Sequence, residues 1–155
     1  MHSDRLANQN FKKSILWLDN DKALIYPYLS ELKRHNIKTE VTNSVLEAEE
    51  LLKSSKFDLV IIDVMIPIIN EKESKIYKSE NTNSGLATGL IFYRRTKKTL
   101  KCTDTKVLIL TVRLDEKIKI EFIKEGIQPE NFATKLSLRE ISSFMRKIFE
   151  VLNIK

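Results

Sequence analysis

One cysteine, three glycines and three prolines stand in a chain of 155 residues. A lone cysteine, Cys102, rules out an internal disulfide and points to a reducing compartment. Its polar surroundings, Thr99-Leu100-Lys101-Cys102-Thr103-Asp104, read as a loop thiol with no special role. So little glycine and proline argues against a loop-rich or disordered chain. No apolar run approaches the roughly 20 residues that cross a bilayer. The first thirteen residues are polar and contain no apolar signal core. The expectation is a soluble cytoplasmic protein with no membrane partner. There is no P-loop and no glycine-rich dinucleotide turn after the first apolar run. That argues against a nucleotide-binding enzyme on the same sheet. Both histidines, His2 and His35, fall outside any cluster of chemistry-bearing residues. The net charge is +6, but the lysines are scattered and no docking motif accompanies them. Direct nucleic-acid binding is therefore not expected.

What the chain does have is a set of apolar runs that end in polar residues. Ile15-Leu16-Trp17-Leu18 ends in Asp19, with Asp21 close behind. Phe57-Asp58-Leu59-Val60-Ile61-Ile62 ends in Asp63. Val107-Leu108-Ile109-Leu110 ends in Thr111. Continuous apolar runs of this length read as central strands of a parallel sheet, covered on both faces. Ligands of open α/β sheets bind outside the carboxyl ends of the strands. Three such strands deliver two or three acids and a hydroxyl to one edge, a setting for a divalent cation and for phosphate chemistry.

Between the runs lie helical patterns. A helix is predicted from about Asp21 to His35, with Leu24, Tyr28 and Leu32 on one face. Pro27 interrupts it near its start and argues for a later beginning. Ile37–Thr42 alternates apolar and polar and reads as a second strand nearer an edge. Ser44-Val45-Leu46-Glu47 is a capping box, opening a helix that carries Leu46, Leu51 and Leu52. Asn70 to Ser84 is polar, with no clear apolar period beyond Ile76-Tyr77, and reads as a long mobile loop. Its charge run, Glu71-Lys72-Glu73-Ser74-Lys75, reads as solvated. Gly89–Lys98 is predicted helical, with Leu90, Ile91 and Tyr93 inward and Arg94, Arg95 and Lys97 outward. Asp115–Glu125 is the next helix, with Ile118, Phe122 and Ile123 inward, then Gly126 at C′ and Pro129 beyond. Asn131–Thr134 is a short fifth strand. Ser137-Leu138-Arg139-Glu140 is a further capping box. The last helix carries Ile141, Phe144, Met145, Ile148, Phe149 and Leu152.

The pattern is β-α repeated five times. It implies an α/β fold: a five-stranded parallel sheet with helices on both faces. A flexible arm over 1–13 precedes a single domain over 14–155, with an inserted loop at about 68–88. There is no sign of a second domain.

In this order the residues resemble, over about Lys12 to Leu152, the receiver domain of two-component response regulators, whose flavodoxin-like fold implies the strand order 2-1-3-4-5. Receivers have an acidic pair ending strand one, here Leu18-Asp19-Asn20-Asp21. They have a phosphoacceptor Asp ending strand three before a Met-Pro turn, here Asp63-Val64-Met65-Ile66-Pro67. A Thr or Ser ends strand four, matched by Thr111. A Lys ends strand five, matched by Lys135, with a switch aromatic three residues before it, matched by Phe132. Gly89 matches the glycine that opens the third helix. The resemblance implies Mg²⁺ held by Asp19, Asp63 and the Met65 carbonyl, with Asn20 or Asp21 completing the shell. It implies phosphorylation of Asp63, with Thr111 and Lys135 holding phosphoryl oxygens and Thr111 and Phe132 forming the switch.

The sequence departs from the family at four places. Asn20 replaces the second acid. Leu136 replaces the proline that often carries a cis bond. Val112 stands where a small residue is usual, which narrows entry to the site. The segment from Pro67 to Gly89 is much longer than in the family.

The function implied is a phosphoacceptor whose phosphorylation switches a protein-binding surface. It is not a conventional enzyme; at most it catalyses its own phosphoryl transfer and dephosphorylation. The partners implied are a histidine kinase or phosphotransfer domain and a downstream protein target. A homodimer through the face from strand four to the fifth helix, counting one helix per strand, would be a further partner. The alternative is a degenerate receiver that binds a partner without phosphorylation. A stand-alone regulator and the receiver of a longer protein both satisfy the sequence.

Overall fold

The computed structural model describes residues 11–78, 87–112, 115–135 and 140–154. Its strands are β1 (Lys13–Leu18), β2 (Ile37–Thr42), β3 (Leu59–Asp63), β4 (Lys106–Thr111) and β5 (Phe132–Thr134). They form one parallel sheet in the order β2-β1-β3-β4-β5, the order the resemblance implies. The helices are α1 (Lys22–Arg34), α2 (Val45–Ser54), α3 (Glu71–Ile76), α4 (Thr88–Cys102), α5 (Glu116–Lys124) and α6 (Ile141–Leu152).

The sheet separates two apolar layers, and strand alternation sorts the side chains between them. Ile15, Trp17, Leu59, Ile61, Leu108 and Leu110 pack with Tyr28 and Leu32 of α1 and with Phe144, Met145 and Ile148 of α6. Leu16, Leu18, Val60, Ile62, Val107 and Ile109 face the other way, toward α2, α4 and α5. Asp19 and Asp63 continue the odd-numbered rows, so both fall on the α1–α6 side of the sheet.

Caps set the helix starts. Asp21 accepts from Leu24 N, Ser44 from Glu47 N, and Asp115 from Lys117 N and Ile118 N. Gly126, at φ +111°, ends the turn after α5, a conformation that favours glycine.

Several expectations need correction. The helix α1 begins at Lys22 and runs through Pro27. Ala23 and Pro27 are both exposed, so the Ala23 carbonyl that loses its N–H partner faces water. Strand β1 starts at Lys13, inside the expected arm. The helix α4 extends to Cys102, so the thiol ends a helix rather than lying in a loop, and it is exposed. Ile123 is 37% exposed rather than inward, whereas Phe92, passed over in the sequence, is fully buried. The box at Ser44 closes on one side only: Ser44 N donates to Thr42 Oγ1, not to Glu47. The box predicted at Ser137, the departure at Leu136 and residues 79–86 of the insertion lie outside the described residues.

The largest correction concerns the insertion. Residues 71–76 are a helix, not a loop. Asn70 caps it by accepting from Glu73 N at 2.8 Å. Glu73 and Tyr77 are both completely buried. Tyr77 joins the core on the α2–α4 side. The Arg95 guanidinium lies 5.2 Å from the centre of the Tyr77 ring and pairs with Glu49 of α2 at 2.8 Å. The insertion is thus fastened between α2 and α4. Among the described residues no helix is long and apolar enough to cross a membrane.

If residues 71–77 are part of the core, Tyr77→Ala should cost about 3 kcal/mol or more, the scale of a large aromatic truncation in a core. A solvated loop would lose almost nothing. Urea denaturation followed by circular dichroism reads the difference.

Candidate functional site

Register brings the polar strand ends together. Leu18 pairs with Ile62, Asp63 with Leu110, and Thr111 with Thr134. The residues just past these pairs therefore leave the sheet at nearly one level. Adjacent strands lie about 4.8 Å apart, so Asp19 and Asp63 emerge side by side. Lys135 follows β5, on the far side of β4, and its long side chain spans that strand.

The result is a buried cluster of three charges. Lys135 Nζ donates to Asp19 Oδ1 at 2.9 Å and to Asp63 Oδ2 at 3.0 Å. Asp19 is 0% exposed, Asp63 2% and Lys135 8%. Asp63 Oδ1 accepts from Met65 N at 3.1 Å, and Asp19 Oδ1 accepts from Asp21 N at 2.9 Å. Asp19 Oδ2 is buried with no hydrogen-bond partner among the described residues. A buried carboxylate oxygen without a donor is costly unless something else meets it.

Burial and the neighbouring Asp19 push the Asp63 carboxyl up to about 6, against the pull of the Lys135 ammonium and the Met65 N–H. For Lys135, burial pulls downward, but the hydrogen bond and charge of Asp19 and the charge of Asp63 outweigh it. The ammonium is held above its ordinary value.

The other predicted residues take distinct places. Thr111 ends β4 and is 1% exposed. Met65 follows Asp63 by two and is 38% exposed. Asn20 and Asp21 are exposed, and the Asp21 carboxylate caps α1, reaching Leu24 N at 3.4 Å. Val112 is 61% exposed beside Thr111. Phe132 opens β5, half-buried, edge-on to Phe122 with centroids 6.1 Å apart. The Lys119 ammonium lies 5.6 Å from its centroid. Among the described residues no three His, Cys, Asp or Glu side chains gather as a metal cluster.

Gly89 is at the site for a steric reason. A Cβ there would lie 2.4 Å from the Asp63 carbonyl oxygen and 2.8 Å from Val64 Cα. Its N–H donates to Val64 O at 2.9 Å. Only glycine lets α4 start this close to the end of β3.

Sequence reasoning missed Glu73. Its carboxylate accepts from Ser44 Oγ at 2.5 Å, from Ile69 N at 3.1 Å and, longer, from Leu46 N at 3.5 Å. The available signal was Asn70-Glu71-Lys72-Glu73, an Asn three residues before a Glu, which marks a helix start.

No family model and no curated protein matches the chain by sequence. Solved structures do match its fold. The non-phosphorylated HemR receiver domain of Leptospira biflexa aligns at a TM-score of 0.69 and 21% identity, over 93% of this chain and 97% of its own. The receiver domain of Francisella response regulator 1452 aligns at 0.61 and 22%, over 89% and 95%. The BeF3-activated N-terminal receiver domain of Klebsiella pneumoniae RstA aligns at 0.62 and 16%, over 91% and 98%. The chain has the fold of response-regulator receiver domains.

Two outcomes follow from this geometry. Gly89→Ala should destabilise by about 1–3 kcal/mol, the usual cost of overpacking, despite the gain in helix propensity. Chemical denaturation checks it. Asp63 binds its proton more tightly folded (about 6) than at its ordinary value of 3.8. Folding stability should therefore fall as pH rises from about 4 to 6 and level off above. Asp63→Asn lacks this titration, so the melting temperature of the wild type relative to the variant, both in EDTA, should decline across that window.

Proposed function

We propose that the chain is a phosphoacceptor receiver in which Asp63 takes a phosphoryl group and switches a protein-binding surface. The observation that carries this reading is the Lys135 ammonium seated between the buried carboxylates of Asp19 and Asp63. Two buried acids from neighbouring strands, with one cation and a strand-end hydroxyl, suit phosphoryl transfer. Such transfer depends mainly on position and charge.

In this reading one Asp63 oxygen attacks the phosphorus of a phosphohistidine on a histidine kinase or phosphotransfer domain. An O–P bond forms, the N–P bond breaks, and the histidine leaves as neutral imidazole, keeping the proton its other ring nitrogen already carried. Met65 N–H, already bonded to Asp63 Oδ1, keeps the carboxylate oriented. Lys135 is close enough to exchange a carboxylate for a phosphoryl oxygen, and the Thr111 hydroxyl donates to another.

Mg²⁺ fits the residues present. Asp19, Asp63 and the Met65 carbonyl would hold it, since Mg²⁺ takes one or two carboxylates and keeps several waters. The partnerless Asp19 Oδ2 supports that assignment. Asn20 and Asp21 would act from the outer shell, Asp21 through its backbone bond to Asp19. When bound, the ion lowers the repulsion between carboxylate and phosphoryl group.

The switch would run through Thr111 and Phe132. Drawing Thr111 toward the phosphoryl group favours a new Phe132 rotamer, which breaks its edge contact with Phe122 and its contact with Lys119. The surface of β4, β5 and α5 then changes, as a population shift between two packings. That surface is where a downstream protein, or a second copy of the chain, would bind.

Intact mass after incubation with Mg²⁺ and acetyl phosphate tests the reading. The expected result is one added phosphoryl group, dependent on Mg²⁺ and absent in Asp63→Asn. No added mass in the wild type would refute it.

A further inference from the structure

The insertion between β3 and α4 is tied to the site through one buried side chain. Glu73 is 0% exposed and uses both carboxylate oxygens. Oε1 accepts from Ser44 Oγ and Leu46 N at the start of α2; Oε2 accepts from Ile69 N. The segment from Val64 to Ile69 is thereby pinned at both ends. At its start, Gly89 N donates to Val64 O at 2.9 Å and Met65 N to Asp63 Oδ1 at 3.1 Å. In its middle, the Ile66 side chain is fully buried. At its far end, Glu73 holds Ile69. Met65 lies on this bridge, and its carbonyl is the backbone oxygen assigned above to the cation.

The other half of Glu73 reaches the opposite wall. Ser44 N donates to Thr42 Oγ1, and Thr42 O accepts from Asp19 N at 2.9 Å. One carboxylate therefore joins the loop after β2, which neighbours Asp19, to the loop after β3, which carries Met65. A buried carboxylate is expensive unless its donors are fixed. Here the Asn70 cap and the buried Tyr77 on either side of Glu73 hold it in place.

We infer that Glu73 is a positioning residue for the phosphorylation site: it fixes the Met65 segment and so sets the affinity for the divalent cation. This rests on the receiver reading. It gives the long insertion a role in the chemistry.

The variant that isolates the effect is Glu73→Gln. It keeps size and one acceptor oxygen but sets an amide N–H₂ against a donor. Mg²⁺ is titrated against the wild type and the variant, following the amide chemical shifts of Asp63 and Met65. Phosphorylation by acetyl phosphate is measured at low and at saturating Mg²⁺. Glu73→Gln should weaken Mg²⁺ binding about tenfold, the low end of what outer-shell partners contribute. Its phosphorylation should recover toward wild type at saturating Mg²⁺.

Leu100→Ala supplies the structural comparison. It creates a cavity near the other end of α4, about 16 Å along the helix from Gly89. It should lower the melting temperature and leave Mg²⁺ affinity unchanged. Ser44→Ala removes Glu73's shortest partner from the other side and should weaken Mg²⁺ binding in the same direction, so the test survives if Glu73→Gln does not fold. Wild-type affinity in Glu73→Gln, or in Ser44→Ala where Glu73→Gln does not fold, would overturn the inference. So would equal weakening in Leu100→Ala. A wild type that binds no Mg²⁺ and accepts no phosphoryl group would overturn the receiver reading, and this inference with it.

Discussion

Lys135 holds two buried carboxylates that would otherwise repel each other. Asp19 and Asp63 come from adjacent strands and are both buried, so each raises the cost of the other's charge. One ammonium within 3.0 Å of both makes the arrangement tenable. It does not satisfy everything: Asp63 stays well above the ordinary carboxylate range, and one Asp19 oxygen has no donor among the described residues. That unmet demand is what the proposed metal ion would relieve. A buried ion cluster is weak evidence for stability and better evidence for function.

The rest of the fold serves this meeting point. A parallel sheet in register places strand ends at one level, and its two apolar layers fix the strands from both faces. Glycine at 89 lets α4 begin against the Asp63 carbonyl. The insertion, far from hanging free, carries a buried acid that bonds to both flanking loops. Charged contacts continue on the outer surface, where Arg94 and Lys97 of α4 pair with Glu121 and Glu125 beside α5. These half-exposed pairs are individually weak, but they link the helix that starts against the Asp63 carbonyl with the helix that packs on Phe132.

The strands were legible because each central one is an apolar run closed by an acid or a hydroxyl. The cap at Ser44 was legible because its side chain acts within three residues. Pro27 misled because an exposed carbonyl tolerates its missing N–H. Ile123 misled because a helical period does not say how wide the buried stripe is. The stretch Glu71-Lys72-Glu73-Ser74-Lys75 looked solvated because a carboxylate is read as a surface group. What pairs with the buried Glu73 is a serine 29 positions away in sequence, which no local pattern contains. At the site, the residue types and their strand-end places were readable. The joint grip of Lys135 on both acids and the partnerless oxygen of Asp19 are tertiary facts.

The most direct test is a crystal structure with Mg²⁺ and beryllofluoride, a phosphoryl mimic. The account predicts beryllofluoride on an Asp63 oxygen, Mg²⁺ on Asp19, Asp63 and the Met65 carbonyl, and Lys135 and Thr111 turned to the mimic. A structure soaked in both, with Asp63 bare and Lys135 still bridging the two carboxylates, would contradict it.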